Sequence, residues 1–138
     1  MQLIVFTLHD RFYGIPTKWV EEITTKLTST LVPQSPEWVE GLINLRGQVM
    51  TLVNLDRLLN SSSDMERICY NNTIVIQTEQ NKVAVEVEEV IGVTTVTEEE
   101  IQPIVHSEDT WVTSLVPAYG EVVSIIDIHQ LFLKNEGE

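Results

Sequence analysis

Most of the chain is built from short apolar runs rich in Val, Ile and Thr, each closed by Gly, Pro or Asn. β-branched side chains suit the half-buried pleat of a sheet and the closing residues suit turns, so the pattern predicts many short strands and a mainly β fold.

The pattern is used twice. Gly47-Gln-Val-Met-Thr-Leu-Val-Asn-Leu-Asp-Arg-Leu-Leu59 matches Gly120-Glu-Val-Val-Ser-Ile-Ile-Asp-Ile-His-Gln-Leu-Phe132 at an offset of 73 residues (47 to 120), with Thr51 facing Ser124 and Asn54 facing Asp127. The opening Ile4-Val-Phe-Thr-Leu8 aligns with Ile74-Val-Ile-Gln-Thr78 at an offset of 70 (4 to 74), which sets Tyr13-Gly-Ile15 opposite Val83-Ala-Val85 and Val20 opposite Val90. A long repeat present only twice implies a duplicated sub-barrel, and a lone core of roughly 60 residues is marginal, so the two halves are expected to pack on each other. The first barrel is expected over about 1–60 with the return of the C-terminal helix, and the second over about 67–134. Asn60-Ser-Ser-Ser-Asp64, continuing to about residue 66, reads as a polar linker between them.

Each half is expected to run strand, turn, strand, connecting segment, then a hairpin turning near Gly47 or Gly120 and a helix begun by Asn54 or Asp127. The side-chain oxygens of those two residues can accept the free amides of a first helical turn. Ser35-Pro-Glu-Trp38 and Thr97-Glu-Glu-Glu100 add further capping patterns. Short helices are therefore predicted at about 17–23, 36–40, 55–60, 98–101 and 128–133.

Charge narrows the partners. Eight Lys and Arg against 21 Asp and Glu give a net charge of −13, a field that repels phosphate backbones and anionic lipid headgroups and implies salt-sensitive association with a basic partner surface. Nucleic acid and direct membrane contact are disfavoured. The single cysteine, Cys69, cannot form an internal disulfide, and no apolar run approaches the ~20 residues of a spanning helix. With no basic residue ahead of the first apolar stretch, these features point to a cytoplasmic protein. The start at Met1 and the polar Glu136-Gly-Glu138 end read as those of a stand-alone protein.

Catalytic patterns are not found. His9, His106 and His129 lie far apart, without metal-ligand spacing, and no phosphate loop, nucleophile elbow or His-Glu-x-x-His motif is present. Cys69 reads as an incidental thiol, and Glu98-Glu-Glu100 as acidic residues on a first helical turn. No cofactor is implied. Trp19, Trp38 and Trp111 read as core residues. Arg46, just before a hairpin Gly, could bond a partner carboxylate or an internal one, and the residues alone leave both open.

Taken together, Phe6-Thr-Leu, Tyr13-Gly-Ile15, Val20-Glu-Glu-Ile23, Val32-Pro-Gln-Ser-Pro36, Val39-Glu-Gly-Leu-Ile-Asn-Leu-Arg-Gly47, Val53-Asn-Leu55 and Ile125-Ile-Asp-Ile128 resemble the motifs of the CheW family of chemotaxis adaptors. The resemblance covers essentially the whole chain. Departures are Thr51 where Pro is common, Glu88 where Asp usually follows Val87, and Ser114 where Gly is common.

The resemblance implies two five-stranded SH3-like β-barrel subdomains packed around a shared core, with short helices. It implies a non-catalytic adaptor coupling the cytoplasmic hairpin tip of a chemoreceptor, held in a groove between the barrels, to the regulatory domain of the histidine kinase CheA, with self-association in arrays. Recruitment to the inner face of the membrane would then run through the receptors. Partner contacts are implied at Val20, Glu22, Asn44, Arg46 and Gly47, with Val90 and Val93 as apolar surface of the second barrel. Rival readings are a CheW-like module of a CheA or CheV type protein, an adaptor of a non-flagellar chemosensory pathway, and, remotely, a small-molecule binding or hydrolytic protein.

Overall fold

The computed structural model describes residues 1–59, 69–79, 82–104 and 111–131; the expected linker at about 60–66 and His106 lie outside them. In chain order the elements are β1 (Gln2–Leu8), β2 (Arg11–Pro16), β3 (Val20–Thr25), β4 (Val39–Leu45), β5 (Gln48–Asn54), α1 (Leu55–Leu59), β6 (Asn72–Gln77), β7 (Lys82–Val87), β8 (Glu89–Thr95), β9 (Gln102–Pro103), β10 (Val112–Ala118) and β11 (Glu121–Ile126).

The strands form two sheets, ordered β8-β1-β2-β11-β10-β9 and β3-β6-β7-β5-β4. They coincide with two compact units, Met1–Trp19 with Val90–Glu138, and Val20–Glu89. The expected division at about 1–60 and 67–134 does not describe this pairing. Each half instead lends its opening hairpin to the other half's sheet: β2 joins β11 and β5 joins β7, both in parallel register, while β6 also pairs with β3. The repeat explains why this works. β1–β2 and β6–β7 are equivalent hairpins, so exchanging them still gives each sheet one copy of every strand type.

Both faces of β1 and β6 are buried, which is why these strands read as continuous apolar runs without alternation. In the first unit Leu3, Val5, Val96, Val116, Val123 and Ile125 form one cluster, and in the second Ile43, Met50, Leu52, Val75 and Ala84 form another.

The capping argument holds at both expected helix starts. Asn54 Oδ1 accepts the Arg57 amide at 3.1 Å, and Asp127 Oδ1 accepts the Gln130 amide at 3.1 Å. The backbone amides of the same two residues donate to the carbonyls of Trp38 and Trp111, both at 2.7 Å, so these two tryptophans are repeat partners as well. Trp111 is buried, whereas Trp38 and Trp19 are half-buried.

The other expected helices are not formed. Residues 17–19 make a single 3-10 turn before β3 begins at Val20, since Val20, Ile23, Thr24 and Thr25 are β-branched or paired to β6. At 36–40 there is one turn closed by the Val39 amide on the Pro36 carbonyl, 3.0 Å, and then β4. At 98–100 a turn carries half of a capping box, with the Thr97 amide donating to Glu100 Oε1 at 3.0 Å, without a helix beyond it. Segments this short do not repay the cost of helix nucleation.

Candidate functional site

Two hairpin tips are the equivalent points of the two units. Arg46 and Gly47 have φ values of 54° and 83°, and Tyr119 and Gly120 have 54° and 74°, so each pair fills a two-residue turn of the type I′ kind that suits twisted strands. In the second unit the turn is tied twice. Asn44 Oδ1 accepts the Gly47 amide at 2.9 Å, and Arg46 Nη1 donates to Glu22 Oε1 on β3 at 2.6 Å. Beside this pair Lys82 on β7 bonds Glu21 Oε2 at 2.8 Å and Gln48 Oε1 at 2.8 Å.

Of the two roles left open for Arg46, the structure forms the internal ion pair. The Arg46 side chain is nonetheless 75% exposed against 21% for Glu22, so screening limits the pair to about 0–1 kcal/mol of stability. Its effect is geometric: it holds the turn against the edge strand β3. Of the residues implied by the resemblance, Val20, Glu22, Asn44, Arg46 and Gly47 all fall in this unit, the first two on β3 and the rest at the turn. Val90 and Val93 fall on β8 in the other unit, beside β1, and Val93 is 54% exposed.

At the equivalent tip in the first unit Tyr119 takes the place of Arg46. Its hydroxyl donates to the Val93 carbonyl at 3.2 Å, across Gly92, where a Cβ would lie 2.7 Å from that oxygen. The offset of 70 sets Gly92 opposite Glu22 (22 to 92): one tip grips a carboxylate and the other lies over a missing side chain. Tyr119→Phe is expected to cost only about 0.5–1 kcal/mol in chemical denaturation, as befits one exposed hydrogen bond; a loss above 2 kcal/mol would show that this tip holds more than itself.

Sequence reasoning passed over several exposed apolar residues. Val49 and Val122, repeat partners on β5 and β11, are 61% and 63% exposed, and Ile23 and Tyr119 are also exposed. The repeat offset could have paired these positions, but exposure itself depends on which strands flank them.

Chemistry is sparse around these tips. Among the described residues no group of three or more His, Cys, Asp and Glu is placed to hold a metal ion. His129 packs edge-on against Trp19 with centroids 4.6 Å apart, and Cys69 is exposed. No helix among the described residues is long and apolar enough to cross a membrane.

Comparison with known proteins gives this geometry its family. The profile of the CheW-like domain matches residues 2–136. The chain belongs to the CheW-like domain family. It is 25% identical to the chemotaxis protein CheW of Treponema pallidum, with 98% of this chain and 84% of that protein covered. It is 29% identical to the CheW of Thermotoga maritima, covering 94% and 86%. The crystal structure of the scaffolding protein TtCheW from Thermoanaerobacter tengcongensis superposes with a TM-score of 0.83 at 26% identity, covering 95% of this chain and 91% of that one. The fold is accordingly mainly β with two SH3-like subdomains, and the CheW-like chain is a chemotaxis scaffold by family.

Proposed function

We propose that this CheW-like chain is a non-catalytic adaptor that couples the cytoplasmic tip of a chemoreceptor to the regulatory domain of the histidine kinase CheA, and that it reaches the membrane through the receptor. The observation that carries the reading is the pair of equivalent hairpin tips, each tied to an edge strand and each followed by an exposed valine, Val49 or Val122. Rigid, partly apolar surface at two related places suits a protein with two protein partners, since ordering costs less when the surface is already fixed. Val20, Glu22, Asn44, Arg46 and Gly47 form one such surface, and Val90 with Val93 belongs to the other.

The test is a binding titration of the folded chain against the CheA regulatory domain and a receptor cytoplasmic fragment. Arg46→Ala is expected to weaken binding to one of them about tenfold, the scale of a single interface hot spot. The charge-swapped double variant Arg46→Glu with Glu22→Arg separates the causes: restored binding makes the residue a positioning group, and continued loss places the guanidinium against the partner. Wild-type protein that binds neither partner would overturn the adaptor reading.

A further inference from the structure

We propose that the first unit carries a docking pocket for a tyrosine side chain of a partner protein, at the place that Tyr70 fills in the second unit. The pocket belongs to the unit that does not contain Arg46, and its occupation is independent of the adaptor reading.

The filled copy shows what the fold holds at this place. In the second unit Asn54 caps α1, and its side chain serves two further neighbours. Its Nδ2 donates to Glu40 Oε1 at 3.0 Å, and its Oδ1 accepts the Tyr70 hydroxyl at 3.2 Å beside the Arg57 amide at 3.1 Å. Glu40 stands where the β4–β5 register shifts, between Val39 and Gly41, and Tyr70 stands just ahead of β6. A carboxyl group and a phenol thus gather on one capping residue.

The first unit keeps the frame without the filling. Asp127 caps the closing helical turn as Asn54 caps α1. The offset of 73 (40 to 113) sets Thr113 opposite Glu40, at the matching register shift between Val112 and Ser114. Thr113 is the shorter side chain, and its hydroxyl lies 3.4 Å from Ser114 Oγ. The offset of 70 carries the counterpart of Tyr70 ahead of Met1. A cavity of about 520 Å³ lies at this place, its lining including Met1, Lys18, Trp19, Thr113, Asp127 and His129.

The lining selects the guest. Lys18 and Trp19 are the counterparts of Glu88 and Glu89 (offset 70), and His129 is the counterpart of Asp56 (offset 73), so three acidic positions of one unit become a cation and two aromatic rings in the other. Lys18 Nζ lies 5.0 Å from the centre of the Trp19 ring, and His129 packs edge-on against that ring at 4.6 Å. Ring edges and an ammonium group both favour an aromatic guest. Asp127 Oδ1 accepts the Gln130 amide at 3.1 Å, and a carboxyl group has acceptor capacity beyond one bond. A phenol can therefore donate to Asp127 as Tyr70 donates to Asn54, whereas a phenylalanine ring brings no donor.

The experiment follows the indole N–H signals of Trp19, Trp38 and Trp111 in the full chain by NMR during titration with N-acetyltyrosinamide, N-acetylphenylalaninamide and p-cresol. N-acetyltyrosinamide is expected to move the Trp19 signal and leave that of Trp38, in the second unit, in place. Its Kd should be on the order of 1 mM, about fivefold tighter than that of the phenylalanine compound. Thr113→Phe, at an exposed position on the lining, and Asp127→Ser, which keeps a capping hydroxyl while withdrawing the longer acceptor, should each weaken it about fivefold or more. The wild-type chain decides even where a variant fails to fold. An unmoved Trp19 signal at about ten times that concentration, or equal affinity for the tyrosine and phenylalanine compounds, overturns the proposal. Binding of p-cresol without N-acetyltyrosinamide overturns it too, because the pocket would then take a free phenol and not a residue of a protein.

Discussion

Gly41→Ala is expected to destabilise the chain by about 3–5 kcal/mol. Gly41 sits in β4 with φ at 152°, and a Cβ there would lie 2.3 Å from the backbone oxygen of Thr30, a collision that no side-chain rotation can relieve. That oxygen accepts the Leu42 amide at 2.9 Å, and the Thr30 amide donates to the Leu42 carbonyl at 2.8 Å. Moving Thr30 away forfeits both bonds, each worth about 0.5–1.5 kcal/mol, and the backbone strain adds roughly 1–3 kcal/mol. Gly47→Ala is the companion variant: its φ of 83° is also unfavourable, but nothing lies within 4 Å of the added carbon, so about 1 kcal/mol is expected. Urea unfolding of the two variants beside wild type measures both. Equal losses at positions 41 and 47 would mean that the Thr30 bridge contributes nothing. Because β4 leads directly into Asn44 and Arg46, Gly41→Ala should also weaken the partner binding proposed for that turn.

What could be read from sequence is what depends on neighbours along the chain. The caps at Asn54 and Asp127 act within three residues, and the structure forms both. The turns at Gly47 and Gly120 are local too, and so is the β character of the Val- and Ile-rich runs. Partner choice between strands is not local. The repeat made β1–β2 and β6–β7 interchangeable, and nothing in their spacing says which half each hairpin joins. The expected helix at 17–23 failed for the same reason, because Val20-Glu-Glu-Ile23 gains its hydrogen bonds from β6, more than 50 residues away. Glu86 is the clearest case for a single side chain. Its place between Val85 and Val87 marks a strand, but only the flanking Asn54 and Thr73 make it a buried carboxyl. Arg46 was singled out from sequence, whereas its partner Glu22, though also named, could be joined to it only once β3 and the turn were placed.

Phe6→Ala is expected to cost about 3–5 kcal/mol, a large share of the roughly 5–15 kcal/mol that holds an ordinary domain together. Phe6 is fully buried on β1, and its ring stacks on Tyr13 of β2 with centroids 5.9 Å apart and planes 22° apart. The two residues are also register partners in the β1–β2 ladder, so truncation removes a cross-strand pair as well as leaving a cavity. Neighbours on a sheet cannot close around a missing ring without breaking ladder bonds, which places the expected loss at the upper end of the aromatic range. Val122→Ser provides the contrast: it is equally apolar by sequence, yet 63% exposed, and its loss should stay within about 0.5 kcal/mol. Should the two variants unfold at the same denaturant concentration, β1 is not packed as described. Should Phe6→Ala fall by the expected amount while Val122→Ser keeps its stability and loses affinity for one partner, the same experiment separates the residues that hold the fold from those that the fold displays.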